Sequence, residues 1–351
     1  MSADKAPEAP SLNRGKHLVI GGAGSIGSEI VDQLVTAGAE RVTVLDNLVR
    51  GRRSNITASL DTGRVELVEG DIRDRALVRE LVDGPGGVDT VFNQAATPIT
   101  QCADDPRLAV DVMVNGTINV LEAIDKVGKS ATAAARGTRA PKLVAASSAS
   151  VHEMAEVLPM GERHRAHNNH TAYGASKMPG DKIVASFRNK YGLDYVIMRY
   201  VNVYGPYMDV HGKYAEVLVR WMERIDDGLP PLIYGDGSNA VDFVTTEDVT
   251  RANLLAAVSP ITAGVYHVAS GTEVSLQDLA EALLRVMGSD LPVEYVTERT
   301  SKSVERQLAD TSAVARDLGF HATIGLDEGL HQLVEWWRSL RVGVATDSSH
   351  I

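Results

Sequence analysis

The stretch VIGGAGSIGSEIV, residues 19–31, decides the fold, because it sets three glycines between an apolar run and an amphipathic one. His17–Gly21 is a short apolar run, typical of a buried strand. Ser25–Ala37 is predicted to be a helix that ends at Gly38. Its apolar residues recur four positions apart and share one face: Ile26, Ile30 and Leu34. The stretch therefore predicts a strand, a tight turn and a helix.

The glycines of this turn indicate what it binds. Gly21 and Gly24 allow the backbone to turn sharply and to approach a pyrophosphate, and Gly27 lets the helix pack close to the strand. The helix N-terminus then offers unpaired N–H groups and the positive end of its dipole to phosphates. A glycine triplet alone fits any tight loop, but between a strand and a helix it predicts a dinucleotide site.

Asp46, which ends the predicted second strand Arg41–Asp46, indicates which dinucleotide binds. A carboxylate at this place accepts hydrogen bonds from an adenosine ribose and repels a 2′-phosphate, which predicts NAD rather than NADP. Asp46 also suits a second role, as the cap of the turn that begins with Asn47. Three arginines follow closely and offer charge to a 2′-phosphate: Arg50, Arg52 and Arg53.

Further along the chain, short apolar runs alternate with amphipathic stretches, as in β-α-β units. The predicted strands are Val65–Asp71, Val88–Asn93 and Lys142–Ser148, and the predicted long helices are Pro106–Val127 and Ala172–Lys190. Strands separated by helices of this length imply a parallel sheet with both faces covered. The predicted fold class is α/β, a Rossmann-type doubly wound parallel sheet with a smaller C-terminal substrate-binding lobe.

The domain boundaries follow from the point where this alternation becomes irregular, near Gly205-Pro206. The predicted division is a disordered tail at 1–14, a dinucleotide-binding domain at 15–200 to which 240–262 return, a lobe at 201–239 and 263–340, and a flexible tail at 341–351. Residues 128–140 are expected to be a surface insertion, because they are long for a loop between a helix and a strand.

The composition excludes several classes of protein. The chain has 351 residues and a net charge of −11, which argues against a general nucleic-acid surface. No apolar run approaches the ~20 residues that span a bilayer, so no membrane association is expected. Cys102 is the only cysteine, and the first residues are polar and proline-rich without an apolar signal core. We therefore expect a cytoplasmic protein.

Tyr173 and Lys177, in the sequence AYGASK, are four residues apart on a predicted helix and share a face. A tyrosine in water has a pKa near ~10 and is a poor base at neutral pH, but a nearby ammonium favours the tyrosinate. Ser148 ends a predicted strand, where its hydroxyl can orient a substrate oxygen. A Tyr-x-x-x-Lys pair alone is common on helix surfaces. Together with the glycine turn and the serine, it predicts a catalytic group.

In the order of these motifs the sequence resembles the extended short-chain dehydrogenases, in particular the nucleotide-sugar epimerases and dehydratases such as UDP-glucose 4-epimerase. The matching stretches are GGAGSIG at Gly21, GDIRD at Gly70, SSASV at Ser147, YGASK at Tyr173, RYVNVYGP at Arg199, IYGDG at Ile233 and ADTSAVARDLGF at Ala309. The resemblance covers roughly residues 16–338.

The resemblance implies an enzyme with NAD held tightly in the Rossmann domain and a nucleoside diphosphate sugar bound between the lobes. It implies Ser148, Tyr173 and Lys177 as the catalytic group, with Tyr173 as the base at the C4 hydroxyl and Lys177 on the nicotinamide ribose. It also implies a homodimer formed by the helices that carry Ala109–Ile124 and Tyr173–Phe187.

The residues after Ser148 narrow the reaction. Sugar 4,6-dehydratases resemble one another in an Asp-Glu pair there, and the related decarboxylases carry a glutamate at the second position. This chain has Ala149 and Ser150, neither of which acts as a general acid or base near neutral pH. The sequence therefore favours a 4-epimerase that forms a transient 4-keto sugar. A net sugar or alcohol oxidoreductase, a dehydratase or decarboxylase, and a non-catalytic NAD-binding protein remain alternatives.

Some positions depart from the family pattern at the substrate end. Val241 lies where the family usually has an arginine on the substrate diphosphate, and a valine cannot make that charge-assisted contact. Met113 replaces a usual asparagine, and His152 replaces a usual tyrosine. Arg299 lies close to the position of a second phosphate-binding arginine.

The complete set of predicted site residues combines these inferences. The cofactor set is Gly21, Gly24, Ser25, Ile26, Gly27, Asp46, Asn47, Asp71, Ile72, Gln94, Ala95, Ala96, Tyr173 and Lys177. The substrate set is Ser148, Ser150, Tyr173, Asn202 and Arg299. No metal site is expected, because no cysteine or carboxylate framework surrounds the evenly spaced histidines: His164, His167 and His170.

Overall fold

The structure is a computed structural model that describes residues 12, 15–84, 87–129, 140–152, 157–164, 170–210, 216–296 and 306–347. The predicted strand and helix around the glycine turn are both present. Strand β1 spans Lys16–Ile20 and helix α1 spans Ser25–Thr36. A β-carbon at Gly27 would lie only 2.0 Å from the carbonyl oxygen of Gly21, so the turn fits against the helix only when this residue is glycine.

A seven-stranded sheet forms the centre of the molecule, and every neighbouring pair of its strands is parallel. Its strands besides β1 are β2 (Arg41–Asp46), β3 (Val65–Glu69), β4 (Thr90–Asn93), β5 (Lys142–Ser148), β6 (Tyr195–Tyr200) and β10 (Ala263–Val268). The order β10-β6-β5-β4-β1-β2-β3 reverses direction between β1 and β4. This is a doubly wound, Rossmann-like sheet, so the predicted fold class is confirmed, and a ligand crevice is expected at the reversal.

Helices cover both faces of this sheet, as the nearly continuous apolar strands require. On one face lie α1 and α9 (Thr246–Val258). On the other lie α3 (Arg75–Asp83), α6 (Gly116–Gly128) and α7 (Ala172–Tyr191). Each face has its own apolar core, and neither core is complete without its helices. Shorter pieces connect them: a 3-10 turn at Arg53–Ile56, α2 (Thr57–Asp61), α4 (Ile99–Asp104) and a 3-10 turn at Ala149–Val151.

The long helix predicted at Pro106–Val127 is interrupted. Helix α5 spans only Pro106–Val110, and Asp111–Asn115 form a wide π-helical turn before α6 begins. Gly116, the first residue of α6, lies so close to Ile72 that a β-carbon there would come within 2.8 Å of that side chain, so glycine is the residue that fits. Helix α7, in contrast, begins at Ala172 as predicted and continues through Pro179 to a left-handed cap at Gly192.

A second, smaller lobe comes from the C-terminal half. A four-stranded sheet combines β7 (Asn202–Tyr204), β9 (Ala240–Thr245), β11 (Glu273–Ser275) and β13 (Arg306–Gln307), and β8 (Leu232–Tyr234) pairs with β12 (Glu294–Val296). Helices α8 (Val217–Asp226), α10 (Leu276–Met287) and α12 (Leu326–Asp347) share an apolar core that contains Trp221 and Trp337. Helix α11 (Ser312–Leu318) packs on the large sheet beside β10.

The two sheets divide the chain differently from the prediction. Residues 240–262 were expected to return to the large sheet as a unit, but β9 pairs within the small sheet and only α9 packs on the large one. Strand β10, expected in the lobe, pairs with β6. The sequence could not show this, because both strands are short apolar runs and their partners lie far away along the chain. Helix α12 reaches Asp347, inside the segment expected to be a flexible tail, and most of 1–14 and of 128–140 lies outside the described residues.

No helix in the described part of the chain is both long enough and apolar enough to cross a membrane.

Two buried histidines make the folded state sensitive to acid. Burial, with the charge of Arg199 as a second cause, lowers the pKa of His267 to about 4 and that of His152 to about 3. In the unfolded chain both histidines have a pKa near the ordinary value. Between that value and the lower pKa of the folded state, the unfolded state therefore binds more protons than the folded state does. Folding stability is therefore complete above about pH 6.5 and falls as the pH decreases towards the folded-state values.

We predict that His267→Gln makes unfolding less dependent on pH in this range, by up to about 1.4 kcal/mol per pH unit for the one proton removed. Urea unfolding between pH 4.5 and 7.5 measures it. His331→Gln, at an exposed position on α12, is the matched control and should keep the wild-type slope. An unchanged slope in His267→Gln would show that this histidine is not neutral in the folded protein.

We also predict that Gly27→Ala destabilises the protein by about 3 kcal/mol or more, because the methyl group must displace the Gly21 backbone. Gly24→Ala is the matched control. There the nearest atom to an added β-carbon is 3.4 Å away, which is ordinary contact. Thermal unfolding of the cofactor-free variants should show a large loss for Gly27→Ala only. Equal loss in both variants would argue against the steric explanation.

Candidate active site

A cleft of about 490 Å³ lies at the carboxyl ends of β1, β2 and β4, where the strand order reverses. Gly21 lines this cleft and has a φ of +75°, in the left-handed region. A β-carbon there would come within 3.0 Å of the Ala95 backbone nitrogen. Twelve of the residues predicted to contact the cofactor line this cleft: Gly21, Gly24, Ser25, Ile26, Gly27, Asp46, Asn47, Asp71, Ile72, Gln94, Ala95 and Ala96. The glycines leave space that side chains would fill, so the cleft fits a dinucleotide.

Asp46 is buried at the end of β2 and is held by the main chain. Its two carboxylate oxygens accept hydrogen bonds from the backbone N–H groups of Ala23 and Leu48, each at 2.9 Å. Burial raises the pKa of Asp46, and these two hydrogen bonds oppose the rise. The carboxylate keeps free lone pairs towards the cleft, where it can accept hydrogen bonds from ribose hydroxyls.

The three arginines after Asp46 differ in position. Arg52 and Arg53 are exposed and do not line the cleft. Arg50 lines it, but its Nε is 3.0 Å from the Asp209 carboxylate in an ion pair. The three arginines that could have bound a 2′-phosphate are therefore either outside the cleft or paired within it.

Asp71 is tied to its neighbours in the same cleft. Hydrogen bonds from Arg73 lower the pKa of Asp71 to about 2, and Asn47 donates to it at 3.0 Å. The carboxylate therefore stays ionised throughout the physiological range. Both Asp71 and Ile72, which belong to the predicted cofactor set, line the cleft.

A segment from Pro206 to Asp209 also lies across this cleft. The sequence did not predict this contact. The Ser25 hydroxyl donates to the carbonyl of Pro206 at 2.9 Å, and Asp209 reaches Arg50. Tyr207, between them, has a φ of 63° and also lines the cleft. Pro206 and its partner are 181 residues apart in sequence. No local signal could therefore predict the contact.

Gln94 lines the cleft, and its side chain has partners on two other elements. The Tyr200 hydroxyl lies 3.0 Å from Gln94 Oε1 and 3.0 Å from Asn253 Oδ1, in a buried polar group below the cleft. A β-carbon at Gly21 would touch the Gln94 carbonyl carbon at 3.1 Å. The side chain thus fixes the backbone that faces the glycine turn.

Ser148, Tyr173 and Lys177 come together at the end of β5 and the start of α7, and none of the three lines this cleft. Ser148 ends β5, Tyr173 lies in the first turn of α7, and the two side chains are hydrogen-bonded. Lys177, one turn further along α7, places its ammonium 5.9 Å from the centre of the Tyr173 ring and donates to the carbonyl of Ala146 at 2.9 Å. The three predicted residues therefore form one group.

Burial sets the protonation of this group. Burial raises the pKa of Tyr173 to about 12, and the hydrogen bond from Ser148 opposes the rise. Burial also lowers the pKa of Lys177 to about 8, and the charge of Asp181 opposes that change. At neutral pH the cofactor-free protein holds a neutral phenol beside an ammonium group that is still mostly charged. The phenol needs a further cation nearby before it can act as a base.

Ser150 lies against Ser148. Its hydroxyl is 3.1 Å from Ser148 Oγ, and its backbone N–H donates to the same oxygen at 3.1 Å. Ala149, between them, is buried. The turn after β5 thus presents hydroxyl groups, and neither residue after Ser148 carries a carboxylate.

A buried ion pair links α7 to strand β6. Arg199 Nε is 2.9 Å from Asp181, which lies one helical turn after Lys177, and another nitrogen of Arg199 is 3.0 Å from His152 Nε2. His152 is thus a packed, hydrogen-bonded residue. The ring of His164 packs edge-on against that of His152, with 5.6 Å between the ring centres. His167, the middle residue of the evenly spaced histidines, lies outside the described residues.

The remaining predicted substrate residues have different outcomes. Asn202 is exposed at the start of β7, but both of its amide hydrogens have protein partners, the Asp242 carbonyl at 2.9 Å and Gln307 Oε1 at 3.1 Å. Val241 lies in β9 and Met113 is buried in the wide turn. Arg299 lies outside the described residues.

Comparison with known proteins agrees with this geometry. The chain is 33% identical over 92% of its length to a putative UDP-glucose 4-epimerase of Methanocaldococcus jannaschii, 98% of which is covered. It is 30% identical over 92% of its length to a dTDP-glucose 4,6-dehydratase of Streptomyces niveus, 93% of which is covered. The solved UDP-glucose 4-epimerase of Thermotoga maritima superposes with a TM-score of 0.82, at 29% identity, over 93% of this chain and 99% of that one.

The sequence profile of the NAD dependent epimerase/dehydratase family matches residues 17–269, which contain the glycine turn, Asp46 and the Ser148–Tyr173–Lys177 group. NAD is accordingly the cofactor of this enzyme. The predicted resemblance is confirmed, and the chain is an enzyme that belongs to the NAD-dependent epimerase/dehydratase family.

Proposed function

We propose that this enzyme epimerises a nucleoside diphosphate sugar at C4. The observation that carries the proposal is the hydrogen-bonded group of Ser148, Tyr173 and Lys177, followed by two residues without an ionisable side chain. Such a site can move one proton to and from one hydroxyl group, but its turn after Ser148 has no acid or base with which to expel water or decarboxylate a sugar.

The proposed mechanism uses the three side chains in distinct roles. NAD, when bound, supplies the acceptor and later the donor of the hydride. Once NAD is bound, the Tyr173 phenol would lose its proton to solvent, and the tyrosinate would take the proton of the C4 hydroxyl while the Ser148 hydroxyl holds the same oxygen by a hydrogen bond. Lys177, which also contacts the nicotinamide ribose in this proposal, stabilises the tyrosinate by its charge. Tyr173 then returns the proton to the sugar oxygen, so the enzyme ends each cycle as it began.

A dehydratase is the alternative that a relative raises most directly, since one relative is a dTDP-glucose 4,6-dehydratase. Elimination of water needs a group that removes a carbon-bound proton and one that protonates the leaving hydroxyl. Ala149 cannot do either, and Ser150 is a hydroxyl engaged with Ser148. This local chemistry supports epimerisation over dehydration.

A net oxidoreductase is the second alternative, because Val241 leaves the diphosphate without the usual arginine. The cover over the cofactor cleft argues against it. Ser25 and Arg50 on the nucleotide side are bound to Pro206 and Asp209 on the lobe side, so both links must break before a dinucleotide can leave. A retained cofactor suits redox-neutral turnover, whereas net oxidation requires cofactor exchange in each cycle.

The predicted homodimer stays a proposal. The exposed side chain of Val110 in α5 leaves apolar surface on the helical face that also includes α6 and α7. Burial of such a surface in a second subunit is favourable.

We predict that Asp46→Asn weakens NAD binding by about tenfold or more, because hydrogen bonds to a charged acceptor contribute about 1.5–3 kcal/mol. NADP binding should weaken less or improve, since the repulsion of the 2′-phosphate is removed. Calorimetric titration of the cofactor-free proteins measures both. Asp61→Asn, an exposed carboxylate in α2, serves as the control. An unaltered NAD/NADP preference in Asp46→Asn would contradict this role.

We predict that Tyr173→Phe lowers kcat for C4 epimerisation by about 10²–10⁴-fold, the usual contribution of a general acid–base residue. The variant should still bind NAD, since its fold and glycine turn are intact. Product formation is followed by chromatography with the nucleotide sugar that most stabilises the wild type. Tyr234→Phe, at an exposed tyrosine on β8, should keep full activity. Wild-type activity in Tyr173→Phe would end the proposed mechanism.

A further inference from the structure

Asp181 lies one helical turn after Lys177 on α7, so the two side chains share a face of that helix. Both residues are almost completely buried, Lys177 with 5% and Asp181 with 7% of its surface exposed. A carboxylate and an ammonium group at this spacing attract each other, and burial strengthens the attraction because little water screens it. The proposed mechanism gives Asp181 no role.

An ion pair with Arg199 holds the Asp181 carboxylate in place. Arg199 lies on β6, and its Nε donates to Asp181 Oδ2 at 2.9 Å. Its NH1 nitrogen lies 3.0 Å from His152 Nε2 and donates to the carbonyl of Glu162 at 2.9 Å. The guanidinium is therefore anchored by several partners, and it fixes the carboxylate on the face of α7 that carries Lys177.

Lys177 depends on a nearby negative charge. Its Nζ donates to the carbonyl of Ala146 at 2.9 Å and lies 5.9 Å from the centre of the Tyr173 ring, in a place that water hardly reaches. Burial lowers the pKa of Lys177 to about 8, and the charge of Asp181 opposes this change. Without that charge the lysine would be neutral over more of the physiological pH range.

Other titratable groups do not replace the Asp181 charge at Lys177. Cys102 on α4 also favours the charged lysine, but burial raises the pKa of its thiol, which is therefore neutral near pH 7. Further titratable groups in the described part of the chain act on Tyr173, Asp181 or Arg199: Glu216, Tyr195, Tyr200, His152 and His267.

We infer that Asp181 is a positioning residue of the reaction, whose carboxylate, fixed by Arg199, keeps Lys177 as an ammonium group beside Tyr173. Asp181 contacts neither the sugar nor NAD in this inference and acts only through Lys177. The inference rests on the proposed function for the reaction in which Lys177 takes part. An amide at position 181 has nearly the same shape as the carboxylate but no charge, so it separates this effect from packing.

The first test is the pH profile of C4 epimerisation by the NAD-loaded enzyme. In Asp181→Asn the alkaline limb of kcat should move to lower pH by about one unit or more, because Lys177 loses its proton more readily. Asp181→Glu, which keeps the charge, should restore the wild-type profile. Asp194→Asn, which breaks the ion pair with Arg188 at the other end of α7, is the matched control and should leave the limb in place.

A second measurement needs no sugar. Ultraviolet difference titration of the NAD-loaded protein, with Tyr173→Phe as the reference, follows the ionisation of Tyr173. In Asp181→Asn this ionisation should move to higher pH, since a neutral lysine no longer favours the tyrosinate. If the wild type epimerises no nucleotide sugar, the proposed function fails and this titration alone decides the role of Asp181.

A purely structural role of Asp181 would lower the activity equally at every pH. That result, with the alkaline limb and the Tyr173 titration unchanged in folded Asp181→Asn, overturns this inference and leaves the proposed function intact. Asp181→Asn leaves Arg199 buried without its acid and can prevent folding. In that case the double variant Asp181→Leu with Arg199→Met, which removes both charges, should shift the limb and the titration in the same directions.

Discussion

The contact between helix α1 and the turn after β1 is the constraint on which the site depends. At Gly27 there is no space for even a methyl group, since the Gly21 carbonyl oxygen occupies the place of a β-carbon. The close approach aims the N-terminus of α1 at the point where the strand order reverses, and the carboxyl ends of β1, β2 and β4 then form one cleft. Asp46 takes its position from the end of β2 in the same parallel sheet, and Ser148 takes its position from the end of β5.

The second determinant is the balance of charge in the buried group of Ser148, Tyr173 and Lys177. Tyr173 and Lys177 are shifted in opposite directions by the same cause, because burial disfavours the charged form of each. Asp181 counteracts the shift of Lys177 and is itself paired with Arg199. The group therefore rests with a neutral phenol. The positive charge of a bound cofactor would favour the ionised form, so the phenol becomes a base only when the cofactor is in place.

Much of this site was readable from local spacing. The glycine turn, Asp46 at a strand end and the Tyr173–Lys177 pair each show in a short stretch of sequence, and each was predicted from its own local pattern. Other features depend on contacts between distant segments. The link of Arg50 to Asp209, the side chain of Gln94 turned towards Tyr200, and the pairing of Asn202 with Gln307 have no local signal.

The same distinction explains the errors in the fold. Both β9 and β10 have the composition of buried strands, but the choice between two sheets is made by partners elsewhere in the chain. The close contact of Ile72 with Gly116 at the start of α6 likewise joins residues that are 44 apart in sequence. Propensity and periodicity describe a segment, whereas these outcomes belong to pairs of segments.

The central claim is that turnover is redox-neutral at C4, and isotopic labelling tests it most directly. The nucleotide sugar that the enzyme binds would be prepared with deuterium at C4 and converted by the NAD-loaded enzyme. Mass spectrometry of the product and absorbance at 340 nm would be recorded together. The account predicts a C4 epimer that keeps its deuterium, with no net rise in absorbance. Loss of the deuterium from the sugar with steady accumulation of reduced cofactor would contradict it.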